Sequence, residues 1–226
     1  MTLLLFDIDG TLLHVTGGVR PAVTHAVASA TGKRASTDGV PFSGRTDLAI
    51  FHDVLVESGI PDPSPHLEDV IARYAETAQK TIQSHHVNPL PGVVDLLPRL
   101  ARREDVFLGL VTGNVEAIAY HKLRRANLAD YFPIGAFGND HSDRTELPPM
   151  ALRRASEQSG HSFSADRTAI IGDTRHDIHC AQTTGARSVA VCTGRFSRSE
   201  LAPHTPDLLL DTLADPHHFI EQVLEI

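Results

Sequence analysis

Two carboxylates one residue apart, Asp7 and Asp9, stand where the apolar run Leu3-Leu4-Leu5-Phe6 breaks off into Gly10-Thr11. A turn needs one Asp and a hydrophobic strand needs none, so the pair exceeds what an Asp-Gly turn asks for. Two more acids, Asp173 and Asp177, follow a second apolar run, Ala169-Ile170-Ile171, across Gly172. Asp177 lies one helical turn beyond Asp173, so both can face one point; acidic residues also suit a helix N-terminus, and that reading stays open. Four carboxylates gathered in one crevice repel each other unless a cation sits among them. A hard, oxygen-liganded ion such as Mg2+ answers that need, usually in company with a substrate phosphate. A third apolar run, Val106 to Val111, ends in Thr112-Gly113-Asn114. There a hydroxyl and the N–H groups of a turn at a helix start make either an anion seat or an ordinary helix cap.

The elements that must hold these groups follow from the same pattern. Continuous apolar runs alternating with amphipathic helical stretches predict right-handed βαβ crossovers and a parallel sheet, whose ligand crevice lies beyond the carboxyl ends of the strands. Strands are expected at 3–6, 106–111, 134–137, 168–171, 188–191 and 207–210, with helices near 93–103, 115–127, 148–159 and 216–224 and one after Asp173 that runs to Thr184. Between the first strand and this core runs a stretch of helical patterns. The stripe Val19, Val23, Ala26, Val27 and Ala30 gives one helix. A second, capped by Ser43 or Thr46, carries Leu48, Ile50, Phe51, Val54 and Leu55 and stops at Gly59. A third carries Leu67, Val70, Ile71, Tyr74 and Ala78. Leu12 to Gly18 reads as a loop and Asn88 to Gly92 as a linker. The expected architecture is α/β: a Rossmann-like parallel sheet with helices on both faces, residues 1–14 and 88–226, plus an inserted all-helical cap, residues 15–87.

The motif Asp7-x-Asp9-Gly10-Thr11, then Thr112-Gly113-Asn114, then Gly172-Asp173 with Asp177, each at the end of an expected strand and in this order, resembles the haloacid dehalogenase superfamily of phosphatases. The helical insert resembles that superfamily's cap of the first insertion type. The resemblance implies that Asp7 is a nucleophile that becomes an aspartyl phosphate, and that Asp9 is the acid that protonates the leaving alcohol and then the base that activates water. It also implies Mg2+ held by the Asp7 carboxylate, the Asp9 backbone carbonyl and the Asp173 carboxylate, with Asp177 close behind. Thr112, Gly113 and Asn114 would receive the phosphate oxygens. The superfamily's usual lysine between the second and fourth motifs is missing, and Arg144 of Asp143-Arg144-Thr145 is the candidate for that fixed charge. Lys122 competes, but its place beside Arg124 and Arg125 in an amphipathic helix reads as solvent-facing. In the insert, Phe42-Ser43-Gly44-Arg45-Thr46-Asp47 resembles the loop of cap-bearing phosphoglycolate phosphatases and β-phosphoglucomutases, with Arg45 reaching for a substrate anion or Gly44 serving only a capping turn.

Composition narrows the partners. A formal charge of -8 without a basic run excludes nucleic acid as a general partner and an anionic membrane surface, and leaves a small phosphorylated metabolite compatible. Cys180 and Cys192 lack metal-site spacing and point to a reducing compartment; with no leader pattern, a cytoplasmic location is expected. The pairs His85-His86 and His217-His218 have no partner at zinc-site spacing. The expected function is a Mg2+-dependent phosphatase acting on a small, phosphoglycolate-like monoester. The alternative is a β-phosphoglucomutase-like phosphomutase, for which Lys33, Arg34 and Arg45 supply a possible second phosphate site. A catalytically silent binding protein is disfavoured by the presence of Asp7, Asp9 and Asp173. The sequence leaves the oligomeric state open.

Overall fold

Leu3, Leu4, Leu5 and Phe6 are apolar without a break because the strand they form, β1 (Thr2–Phe6), is covered on both faces. In the computed structural model, which describes residues 1–224, Leu4 and Phe6 join one core cluster and Leu3 and Leu5 another, as the two-residue period of a strand requires. The last two residues of the expected core segment, 225 and 226, lie outside the described residues. A short strand β2 (Leu13–Val15) follows, then helices α1 (Val19–Thr31), α2 (Asp47–Glu57) and α3 (Leu67–Thr81), and the chain returns through β3 (Val87–Pro89). The rest alternates: α4 (Val93–Ala101), β4 (Val106–Val111), α5 (Glu116–Arg125), β5 (Ile134–Ala136), α6 (Leu147–Ser159), β6 (Thr168–Gly172), α7 (Arg175–Thr184), β7 (Arg187–Val191), α8 (Arg198–Leu201), β8 (Leu208–Leu210) and α9 (Pro216–Leu224).

Among the described residues six strands form one parallel sheet in the order β5-β4-β1-β6-β7-β8. The residues of α4, α5 and α9 pack with Leu4 and Phe6 on one face, and those of α6 and α7 pack with Leu3 and Leu5 on the other. The expected α/β sheet with helices on both faces is therefore the observed one. Because β1 lies between β4 and β6, the order reverses there and a crevice opens at the strand ends. The register sharpens this: Phe6 is level with Leu110 of β4 and Ile171 of β6, so the residues just past each strand emerge side by side.

The insert consists of α1, α2 and α3, whose buried residues Val23, Val27, Phe51, Val54, Val70 and Tyr74 share a core; the rings of Phe51 and Tyr74 meet edge to face at 5.1 Å. Thr46, one of the two expected caps, accepts a hydrogen bond from the Ala49 N–H at 3.3 Å, and Gly59 follows the helix end at φ +76°. Two stretches depart from expectation. The loop at Leu12 to Gly18 contains β2, and the linker at Asn88 begins inside β3; the two strands pair antiparallel, Leu13 with Pro89 and Val15 with Val87. Three-residue strands carry no readable period, and their pairing joins residues more than seventy positions apart, so no local pattern announces it. No helix among the described residues is long and apolar enough to cross a membrane.

Candidate active site

Three strand ends build the floor of the crevice. Asp7, directly after β1, is nearly buried, and its N–H donates to the Ile171 carbonyl at 2.9 Å, which anchors the residue to β6. Asp173 follows β6 directly, and Asp177 sits in the first turn of α7. Ligand oxygens of Asp7, Asp173 and Asp177 all lie within 4.8 Å of one another, the one such acidic group among the described residues. The backbone is pared away around them. A Cβ on Gly10 or on Gly194 would overlap the Asp173 carboxylate, so only glycine lets both loops close on it. Asp9 is brought round by the turn that follows, in which the Gly10 N–H donates to the Leu13 carbonyl at 2.9 Å.

One cation is set into this floor. Arg144 is buried, with Nη2 at 2.6 Å from Asp177 Oδ1 and 3.3 Å from Asp7 Oδ1. It precedes α6, where Asp143 starts the turn by accepting from the Thr145 N–H at 2.9 Å. Burial works against its charge, and the carboxylates of Asp177 and Asp7 more than offset that. The Nε of Arg144 is buried without a hydrogen-bond partner among the described residues. The other oxygen of Asp177, Oδ2, accepts from the Thr174 N–H at 3.0 Å and the Thr174 hydroxyl at 2.7 Å, closing a capping box. The acids feel the crowding. Burial, only partly countered by Arg144, pushes Asp7 up to about 6. Burial, with repulsion from Asp177 and Asp7, pushes Asp173 up to about 8. Buried carboxylates of raised proton affinity, offering hard oxygen donors around one point, fit a small divalent cation.

The second wall is Thr112-Gly113-Asn114, after β4. Asn114 Nδ2 donates to the Thr112 hydroxyl oxygen at 2.9 Å and to Asp9 Oδ2 at 2.7 Å, tying the loop to the end of β1. A Cβ on Gly113 would overlap the Arg45 carbonyl, so the insert's Gly44-to-Asp47 loop rests directly on this turn. The contact is dense. Asp47 donates its N–H to the Gly113 carbonyl at 2.7 Å, and its Oδ2 accepts the Val115 N–H at 2.8 Å, so a residue of the insert caps the core helix α5. The Leu48 N–H reaches the Gly138 carbonyl at 3.1 Å and the Thr46 hydroxyl the Ser142 carbonyl at 2.7 Å. Burial raises Asp47 to about 6, against the Val115 hydrogen bond.

Lys122 corrects the sequence expectation. It does not face solvent: its side chain is 2% exposed, and Nζ donates to Asp9 Oδ2 at 2.6 Å, Asp9 Oδ1 at 2.9 Å and Asn114 Oδ1 at 2.6 Å. The signal lay in the spacing of Ile118 and Lys122, with Ile118 also buried: positions four apart lie on one helix face, and side chains lean back toward the N-terminus, where Asn114 precedes the helix. Arg124 and Arg125, next to it, are exposed. Arg45 lines the crevice, but its guanidinium is held by Asp53 of α2 at 2.8 Å and by the Pro41 carbonyl at 3.4 Å. Tyr74, which sequence patterning assigns to the insert's core, borders the crevice as well; burial and the charges of Asp47 and Asp9 hold its hydroxyl well above its ordinary range. The crevice between insert and core measures about 620 Å³ and is bounded by Asp7, Asp9, Thr112, Asn114, Lys122 and Arg144 on the core side.

The chain is similar to known proteins along most of its length. A model of the haloacid dehalogenase-like hydrolases matches residues 4–191. The phosphoglycolate phosphatase of Pectobacterium atrosepticum is 26% identical, over 94% of this chain and 89% of its own length. Phosphoglycolate phosphatase 1 of Pseudomonas aeruginosa is 28% identical, over 99% of this chain and 81% of its own. Among solved structures, a β-phosphoglucomutase from Clostridium difficile superposes with a TM-score of 0.70 at 16% identity, covering 100% of this chain and 98% of that one, which speaks for the shared fold.

Proposed function

The chain belongs to the haloacid dehalogenase-like hydrolases, and on that footing we propose that it is a Mg2+-dependent phosphatase of small phosphomonoesters that works through an aspartyl phosphate on Asp7. The observation that carries the reading is the convergence of Asp7, Asp173 and Asp177 within 4.8 Å beside the buried Arg144. Its division into residues 1–14 and 88–226 as catalytic core and 15–87 as cap is part of the same proposal. The Asp7 carboxylate, the Asp9 backbone carbonyl and the Asp173 carboxylate would hold Mg2+, with Asp177 behind them. When bound, the ion supplies positive charge against the phosphate oxygens.

The chain's own residues account for the rest. Asp7 attacks phosphorus in line while Asp9 gives its proton to the departing alkoxide, leaving the phosphoryl group on Asp7 and a carboxylate on Asp9. The Thr112 hydroxyl, the N–H groups around Gly113 and Asn114, and the Arg144 guanidinium receive the charge on the equatorial oxygens. Water then attacks the phosphoryl group, Asp9 takes its proton, the bond to Asp7 breaks, and inorganic phosphate and the starting enzyme result. Arg144 meets Asp7 and Asp177 at once through its Nη2, and a guanidinium keeps its charge at any working pH.

Relatives named as phosphoglycolate phosphatases support a phosphoglycolate-like substrate, and Arg45 at the crevice is the candidate partner for its carboxylate. The phosphatase reading is favoured over the phosphomutase one because, of the three cations that could supply a second phosphate site, Lys33 and Arg34 are exposed and do not line the crevice, with Lys33 donating to the Gly59 carbonyl at 2.6 Å, and only Arg45 borders it. Two free cysteines without a disulfide suit a cytoplasmic protein. The deciding experiment is a screen of phosphorylated metabolites for phosphate release with Mg2+ and with chelator. Mg2+-dependent release led by short phosphorylated acids is expected, and folded protein without such release overturns the reading.

A further inference from the structure

The proton-handling carboxylate is not a free side chain. Lys122 Nζ bridges both oxygens of Asp9, at 2.9 Å to Oδ1 and 2.6 Å to Oδ2, and reaches Asn114 Oδ1 at 2.6 Å. Asn114 in turn donates Nδ2 to Asp9 Oδ2 at 2.7 Å. Oδ2 therefore accepts from two donors and is saturated, whereas Oδ1 accepts from one and keeps a lone pair. Asp9 borders the crevice and its side chain is 43% exposed, whereas the ammonium that grips it is 2% exposed. A buried lysine that makes three short hydrogen bonds to two residues of the site is held there by design of the packing: an ammonium out of water is tolerable only when paired and hydrogen-bonded.

The geometry points to Lys122 as the positioning residue of the hydrolytic half-reaction. With Asn114 it locks the ionised Asp9 carboxylate in one orientation, so that Oδ1 takes the proton from the water that attacks the aspartyl phosphate on Asp7. The inference rests on the proposed acid–base role of Asp9 and adds the device that fixes it. As the water attacks, its proton passes to Asp9 Oδ1, the bond between phosphorus and the Asp7 oxygen breaks, and the electron pair returns to Asp7.

The test separates the two half-reactions with p-nitrophenyl phosphate and Mg2+. The p-nitrophenolate leaves without needing a proton, so kcat/KM reports transfer to Asp7 and kcat reports hydrolysis of the phosphoenzyme. Lys122→Met is expected to lower kcat about 100-fold with KM falling in step, kcat/KM holding within about threefold, and a burst of p-nitrophenolate close to one per enzyme appearing before steady state. Lys122→Gln, which keeps a polar head, should show the same burst and serves if the methionine variant does not fold; circular dichroism and melting establish folding. Loss of kcat/KM at unchanged KM without a burst, or unchanged kinetics, overturns the inference. Asp9→Asn is run alongside. If it accumulates phosphoenzyme while the folded Lys122 variants do not, Lys122 has no such role and Asp9 keeps its own. If Asp9→Asn shows no burst, the acid–base reading of Asp9 fails, and the inference falls with it.

Discussion

Asp7 and Asp9 leave the same strand two residues apart and enter opposite surroundings. Asp7 points into a buried knot of acids relieved by one guanidinium, with Arg144 Nη2 3.3 Å away. Asp9 faces the crevice with an ammonium at its back and an amide on its flank. Two chemically identical groups are thereby prepared for different work. The first is crowded with negative charge that a cation must relieve, which suits a nucleophile beside a metal. The second is held open to solvent and substrate, which suits a carrier of protons.

Removing the first group should have the largest effect. Asp7→Asn is expected to reduce phosphate release by at least about 10⁴-fold and to abolish phosphoenzyme in acid-quenched samples, because no carboxylate remains to accept phosphorus. Residual turnover within tenfold of wild type would collapse the contrast between the two acids. Next comes the cation of the Asp7 side. Arg144→Ala should lower kcat about 10³-fold, the scale of losing one charge stabiliser, and lower the melting temperature as Asp7 and Asp177 lose their partner. Arg144→Lys should recover part of the rate, and full recovery would mean that only charge, not the length and shape of the guanidinium, matters there.

Proton affinity distinguishes the regions more gently. In the folded chain Asp7 rises to about 6 and Asp173 to about 8, above the value near 3.9 of an unfolded aspartate. The folded form thus binds more protons than the unfolded one between about pH 4 and pH 8, and stability without metal falls as pH rises through that window. Melting curves in chelator should therefore drop from pH 5 to pH 8. Added Mg2+ should raise the midpoint more at pH 8 than at pH 5, since it competes with protons for the same oxygens. A midpoint independent of pH in chelator would remove the charge-crowding account of Asp7. The smallest effect concerns the insert: Asp47→Ala should cost about 1 kcal/mol of stability, the usual loss for a helix cap, and raise KM more than it lowers kcat. Denaturant unfolding and steady-state kinetics measure both.

What the sequence made readable was what short stretches encode. An unbroken apolar run ending in acids marks a doubly covered strand and its mouth, so the emergence of Asp7, Thr112 and Asp173 at neighbouring strand ends could be read without coordinates. The α2 cap at Thr46 was equally local. Hidden were the features that depend on what a distant segment does. Lys122 reads as one of three basic residues on a wet face because Asp9, the acid it grips, lies 113 positions away, past the end of β1. Asp47 reads in the sequence as the last residue of the Phe42-to-Asp47 loop, with no sign that its side chain finishes α5. Arg45 gave no sign that Asp53 would occupy its guanidinium. In each case the residue type was visible, and the partner that decides its role was supplied by tertiary packing.

The shared carboxylate of Asp47 ties two events together. On the proposed reading, an insert that swings away to exchange reactant for product would take the acceptor from the Val115 N–H at the mouth of α5 and loosen the turn assigned to the phosphate. Release of the anion and departure of the roof would then be one motion.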